Sequence, residues 1–151
     1  MEEKIFDRVI EEVYRVLQTH GKFLVIDKIV CEFRSPSEEL TVLTELAYHK
    51  AVEYVHGIRV WGVRRAEELI AKIASKNFTE KSRELITLGK RFSWDEFIEN
   101  WGRDTLRLMQ AIPGEARGGL EELVNRIKTN VRKYGYGPAR VIAALFVKEA
   151  T

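Results

Sequence analysis

Residues 23–33 read FLVIDKIVCEF, an apolar stretch whose secondary structure determines the predicted fold class. Its β-branched residues suit a short buried strand, whereas Ile26, Ile29, Val30 and Phe33 also lie on one face of a helix. No second strand pattern occurs nearby in the sequence, so a strand here would lack a partner for its backbone hydrogen bonds. The stretch is therefore predicted to be helical.

Capping residues and apolar spacing predict helices along the rest of the chain. Ser35-Pro36-Ser37-Glu38 places a capping hydroxyl, a proline and a reciprocal carboxylate at a helix start, and Gly57 ends that helix. Further helices are predicted before Gly21 and at about residues 64–76, 79–89, 93–112, 115–134 and 139–150.

The predicted fold class is all-α, a compact bundle of about seven or eight helices. Residues 1–151 are expected to form a single helical domain, or two packed helical halves with a boundary near 57–63 or 113–114. Val141–Val147 is apolar on every side. Its predicted helix must therefore lie at the centre of the core or against a neighbouring subunit.

Composition favours an intracellular protein that is not embedded in a membrane. No apolar stretch approaches the roughly 20 residues that a membrane span needs, and the acidic start Met1–Lys4 lacks a secretory apolar segment. Cys31 is the single cysteine, which excludes an internal disulfide and a multi-cysteine zinc site. The chain is 32% charged with three prolines, a pattern typical of thermophile proteins. A cytoplasmic location is predicted.

One polar stripe on the predicted 36–56 helix has residue types found in active sites: Glu45, His49, Glu53 and His56. Carboxylates and imidazoles one turn apart could hold a divalent metal. The stripe lies opposite Leu43 and Ala47, however, so it is expected to face solvent. No catalytic residue, metal or cofactor is therefore predicted, and the chain is expected not to be an enzyme.

Basic residues mixed with aromatic ones suggest nucleic-acid binding. Net charge is −4 over residues 1–56, +5 over 57–91 and +1 over 92–151. The first candidate cluster comprises Arg126, Lys128, Arg132, Lys133, Tyr134, Tyr136 and Arg140. The second comprises Arg59, Arg64 and Arg65, beside Trp61. Basic groups bind phosphates and aromatic rings stack on unpaired bases. A helix-turn-helix over residues 64–88 is an alternative way of binding DNA.

The opening of the chain resembles a known family. Val13–Leu17, followed by HGKFLVIDKI at 20–29 and the Ser-Pro helix start, is similar to the small helical subunit of archaeal CRISPR interference (Cascade-type) complexes. The resemblance implies a non-catalytic, multi-copy subunit that steadies nucleic acid in a guide RNA complex. In size and predicted helicity the chain also resembles the helical coat proteins of filamentous archaeal viruses.

The leading hypothesis is thus a non-catalytic, sequence-independent nucleic-acid-binding subunit of a multi-subunit ribonucleoprotein assembly. Its predicted partners are RNA or DNA and the other protein subunits. A DNA-wrapping viral coat protein and a purely structural protein-interaction subunit, docked through residues 139–150, are the alternatives.

Overall fold

The computed structural model describes residues 1–150 and shows a mixed α/β protein, so the all-α prediction is wrong. Within these residues, six α-helices accompany one four-stranded sheet. The helices are α1 (Glu3–Val16), α2 (Pro36–His56), α3 (Ala66–Ala74), α4 (Trp94–Phe97), α5 (Arg103–Gln110) and α6 (Gly118–Tyr134). The strands are β1 (Lys22–Val30), β2 (Arg64–Arg65), β3 (Phe78–Leu88) and β4 (Ala139–Lys148). A π-helical turn, Ile98–Gly102, joins α4 to α5, and a 3₁₀ turn, Gly114–Ala116, precedes α6.

The sheet has the order β2-β1-β4-β3, and it explains why the helical prediction failed for three segments. Strand β1 pairs antiparallel with β4 from Lys22↔Val147 to Lys28↔Val141. Strand β3, where a short helix was expected, also pairs antiparallel with β4. The partner that β1 lacked in its sequence neighbourhood is thus supplied by the other end of the chain.

Strand β4 is central in the sheet, which accounts for its apolar character on every side. Ile142, Ala144 and Phe146 are at most 2% exposed. A short apolar run fits a buried strand as well as a buried helix, and periodicity alone does not distinguish them. The segment expected to dock a protein partner is therefore buried within its own sheet.

Helices α1 and α3 cover one face of the sheet and form the first core. Ile10 of α1 and Ile73 of α3 pack with Phe146 of β4, and all three are almost completely buried. Both helices are amphipathic, because apolar residues recur at helical spacing on one side of each. On the opposite sheet face, Leu24 and Ile26 remain more than half exposed.

Helix α2 begins and ends as its sequence predicts. The Ser35 side chain accepts a hydrogen bond from the Glu38 N–H, Pro36 lies at the first helical position, and Gly57 adopts the left-handed conformation. Glu38 does reach back, but its carboxylate accepts from the N–H of Arg34 rather than from that of the cap. The helix predicted to begin at about residue 93 starts with a capping box, in which Ser93 and Glu96 exchange backbone-to-side-chain hydrogen bonds.

A second core joins α2 to α4, α5 and α6, and positions the clefts described below. Leu40 and Ala47 of α2 pack against Phe97, Val124 and neighbouring apolar residues. The predicted division of the chain into domains stays a prediction. Within residues 1–150, every helix is too short or too polar to cross a membrane.

Candidate functional site

The first predicted nucleic-acid cluster does not form one accessible surface. Arg126, Lys128, Arg132, Lys133 and Tyr134 lie on α6, whereas Tyr136 and Arg140 follow it. Tyr136 and Arg140 are only 4% and 7% exposed. The guanidinium of Arg132 lies over the Trp94 ring, 4.1 Å from its centroid, rather than free for a ligand. Helix α6 ends at Tyr134 and β4 begins at Ala139, so residues of this cluster that are close in the sequence lie on different elements.

The second predicted cluster also divides. Arg59 forms an ion pair with Glu3 of α1, with 3.1 Å between Nε and Oε2. Arg64 and Arg65 instead line a cleft against α2, and the Arg64 guanidinium stacks on Trp61 at 4.4 Å from the ring centroid. Arg59 thus contacts α1, whereas Arg64 and Arg65 line a cleft.

The structure instead places the polar stripe of α2 between two clefts. The expectation that this stripe faces solvent is wrong for Glu45, His49 and Glu53, which are only partly exposed, and correct for His56. The error arose because the stripe was compared only with the opposite face of the helix. β1 and the Val60–Arg65 connection cover the polar side, and sequence spacing contains no sign of them.

The first cleft, called the α2–α5 cleft, has a volume of about 220 Å³. That is room for roughly seven water molecules at ~30 Å³ each, or for a small metabolite. Residues from β1, α2, the π-helical turn and α5 line it, together with one aromatic residue before β4. They are Lys28, Thr44, Glu45, Tyr48, Asn100, Trp101, Asp104, Thr105 and Tyr136.

Glu45 places a buried carboxylate oxygen in the lining of this cleft. Its Oε2 atom is buried and has no hydrogen-bond partner within residues 1–150. The nearest cation is the Lys28 ammonium, 3.5 Å from Oε2, longer than the 2.7–2.9 Å of a good charge-assisted hydrogen bond. The hydroxyl of Thr44 is likewise buried and unpartnered. Buried polar atoms normally have partners, so this cleft has unused capacity for a polar ligand.

Aromatic rings form one wall of the α2–α5 cleft. The centroids of Trp101 and Tyr136 are 4.9 Å apart. Burial, with a smaller contribution from the Glu45 carboxylate, raises the pKa of the Tyr136 phenol. That hydroxyl therefore stays protonated at neutral pH and can donate a hydrogen bond.

The π-helical turn between α4 and α5 contributes part of this wall. Asn100 and Trp101 lie on the π-helical turn, a feature that often occurs at functional sites. Gly102 is required there because a Cβ atom would lie 2.7 Å from Cε1 of the buried Phe97 ring. Sequence reasoning missed this wall, since a single helix was predicted at about residues 93–112 and the π-helical turn within it was not foreseen.

His49 lies one turn beyond Glu45 and lines the second cleft, called the α2–α3 cleft. Burial lowers the pKa of its imidazole, although the Glu45 and Glu53 carboxylates act in the opposite direction. Its Nδ1 atom is buried without a hydrogen-bond partner in the described part of the chain. Among residues 1–150, no group of three His, Cys, Asp or Glu side chains is arranged to hold a metal ion.

Comparison with known proteins gives similarity at the level of the fold. No protein-family model matches the chain, and no curated protein matches it significantly. A candidate methyltransferase from Bacillus halodurans C-125 has a similar solved structure, with 14% identity and a TM-score of 0.48, over 95% of this chain and 58% of that one. The YcgJ protein of Bacillus subtilis has 13% identity and a TM-score of 0.45, over 97% and 58%. The chain thus spans less than two thirds of each.

These findings correct the functional predictions. The hypothesis of a non-catalytic, nucleic-acid-binding all-α subunit is wrong in its fold, which is α/β, and the expectation that the chain is not an enzyme is set aside with it. Tyr136 and Arg140 of the first predicted cluster are buried. None of the comparisons links the chain to CRISPR subunits. That resemblance and the predicted partners stay predictions.

Proposed function

We propose that the protein binds a small organic cation in the α2–α5 cleft and that this cleft is its active site. The observation that carries the proposal is the buried Oε2 atom of Glu45, which has no hydrogen-bond partner although its residue lines a cleft of about 220 Å³. The Lys28 ammonium, 3.5 Å away, is too distant for a good hydrogen bond, and a protonated amine supplies the donor that this atom lacks.

Two further features of the cleft favour a cation. Its lining carries two carboxylates, Glu45 and Asp104, against one ammonium, Lys28. Its aromatic residues include Tyr48, Trp101 and Tyr136, and the faces of such rings attract cations. An anionic ligand would meet repulsion from the carboxylates.

The same groups can support acid–base chemistry. A carboxylate within hydrogen-bond reach of a bound ammonium accepts its proton and leaves a nucleophilic amine. The protonated Tyr136 hydroxyl can donate a hydrogen bond to a second polar group of the ligand. Glu45 is thus the candidate general base, and Tyr136 the candidate hydrogen-bond donor.

Isothermal titration calorimetry with a panel of small organic cations tests the proposal. The panel comprises a primary amine, a diamine, a quaternary ammonium and the sulfonium S-adenosylmethionine. At least one is expected to bind saturably to the wild-type protein. Glu45→Gln should weaken that binding by ~10-fold or more, because a charge-assisted hydrogen bond contributes about 1.5–3 kcal/mol.

Glu99→Gln is the matched control. Glu99 is exposed on the same π-helical turn, is not part of the cleft lining, and loses the same charge. Tyr48→Ala should weaken binding by roughly 2- to 5-fold through loss of a cation–π contact of about 0.5–1 kcal/mol. Equal weakening by Glu99→Gln and Glu45→Gln, or no binding of any cation, contradicts the proposal.

A further inference from the structure

We propose that the α2–α3 cleft is a separate binding site for the phosphate group of a small molecule. The cleft has a volume of about 410 Å³ and lies between α2 and the connection that leads through β2 into α3. Its ionisable lining comprises His49, Lys50, Glu53, Arg64, Arg65 and Glu68.

Both carboxylates of this cleft are already engaged by the backbone. Oε1 of Glu53 accepts a hydrogen bond from the Val60 N–H at 3.1 Å. Oε2 of Glu68 accepts from the Arg65 N–H at 3.0 Å. These hydrogen bonds fix the carboxylates against the backbone, and neither carboxylate forms an ion pair with a cation of the cleft.

The three cations have no carboxylate of their own. None of Lys50, Arg64 and Arg65 forms an ion pair within residues 1–150. The three cations outnumber the two carboxylates of the lining, Glu53 and Glu68, so the cleft carries a net positive charge. An anion is the ligand that this arrangement attracts.

Arg64 is positioned for recognition of an oxyanion. Its Nε atom is buried and has no hydrogen-bond partner among the described residues. Stacking on Trp61, 4.4 Å from guanidinium carbon to ring centroid, orients the plane of the guanidinium. A planar, oriented guanidinium binds phosphate or carboxylate through two parallel hydrogen bonds. A dianionic phosphate, with more acceptor oxygens and more charge than a carboxylate, best matches three cations.

His49 and Gly62 complete the cleft. The buried Nδ1 of His49 has no partner, and it lies so near Gly62 that an added Cβ there would be 3.2 Å away. A neutral imidazole carries one N–H donor. Glycine at 62 thus leaves space beside the ring that any other residue would occupy.

Calorimetry with inorganic phosphate and with glycerol 3-phosphate, each at low ionic strength, tests the inference on the full chain. Saturable binding of either ligand supports the site, and the tighter of the two shows whether the free ion or the ester is preferred. Arg64→Gln should weaken binding by ~10-fold or more. Arg126→Gln, which removes an exposed charge from α6, should leave it unchanged.

Circular dichroism checks that each variant is folded. If Arg64→Gln unfolds the chain, Lys50→Gln and Arg65→Gln, both at exposed positions, provide the test and should each weaken binding several-fold. Absence of saturable binding at ~10 mM ligand overturns the inference. So does equal binding of malonate, or equal weakening by Arg126→Gln. Glu45→Gln should not change phosphate binding, so this site and the proposed cation site can fail independently.

Discussion

Replacing Glu45 with methionine should stabilise the protein while it removes the candidate binding group. The thioether has nearly the length of the glutamate side chain but no charge. In the native protein the Oε2 atom is buried without a hydrogen bond, and the side chain as a whole is 33% exposed. A site prepared for a ligand is expected to cost stability when the ligand is absent.

The magnitude follows from two opposing terms. An unmet buried polar group costs about 1–3 kcal/mol. The Lys28 ion pair, at 3.5 Å and partly exposed to solvent, stabilises the native protein by ~0–1 kcal/mol. Their difference, reduced for the exposed third of the side chain, is an increase of about 1 kcal/mol in the free energy of unfolding. For a chain of this size it corresponds to roughly 2–4 °C in Tm.

Urea denaturation followed by circular dichroism measures this difference. The midpoint should rise with an unchanged m-value, because the surface exposed on unfolding is nearly the same. Glu99→Met, at an exposed position, should change stability by no more than ~0.5 kcal/mol. A loss of 1 kcal/mol or more on Glu45→Met would refute the reasoning, since it would show that the carboxylate has a stabilising partner.

Three other predictions test the cores and the second cleft. Phe146→Ala should cost about 3–5 kcal/mol in urea denaturation, since the ring is fully buried, whereas Leu24→Ala on the open sheet face should cost under ~1 kcal/mol. Burial lowers the pKa of His49 in the folded state, so the free energy of unfolding should fall as pH falls through 6.5 toward the folded pKa. His49→Gln should reduce this dependence of the free energy of unfolding on pH, and an unchanged dependence would count against burial of the imidazole. Gly102→Ala should destabilise the chain by ~1–3 kcal/mol through contact with the Phe97 ring, and a neutral effect in thermal denaturation would argue against this packing.

Local signals predicted those elements whose ends depend on nearby residues. The Ser35 cap, the proline after it and Gly57 define α2, a helix of 21 residues. The capping box at Ser93 similarly marks the start of α4. Caps are local interactions, so a sequence read in short windows contains them.

The strands escaped prediction because their pairing is not local. FLVIDKIVCEF has both helical and strand character, and the deciding partner, β4, begins at Ala139. Strand β3 lies where a helix was predicted at about residues 79–89, yet its backbone hydrogen bonds go to β4. Strands β1 and β3 both pair with β4, and no short window of the sequence contains all three.

The candidate sites were only partly visible in the sequence. Glu45, His49 and Glu53 were identified as a stripe with active-site chemistry, but their exposure was misjudged because β1 and the Val60–Arg65 connection were not foreseen. Trp101 and Tyr136 join the site through packing of distant segments. Arg64 and Arg65 were noticed for their charge, although the structure gives them a cleft rather than a nucleic-acid surface.

The sequence by itself determined the caps of α2 and α4, the amphipathic faces of α1 and α6, and the residue types available for chemistry. These depend on interactions between residues a few positions apart, where spacing and side-chain type suffice. Only the tertiary structure decided that three apolar segments are strands and that the polar side of α2 lines two clefts. The β1–β4 and β3–β4 pairings join residues that are far apart in the sequence, such as Leu88 and Ala139, and the clefts form only where other segments pack against α2. Such contacts stabilise the protein only once the chain has folded.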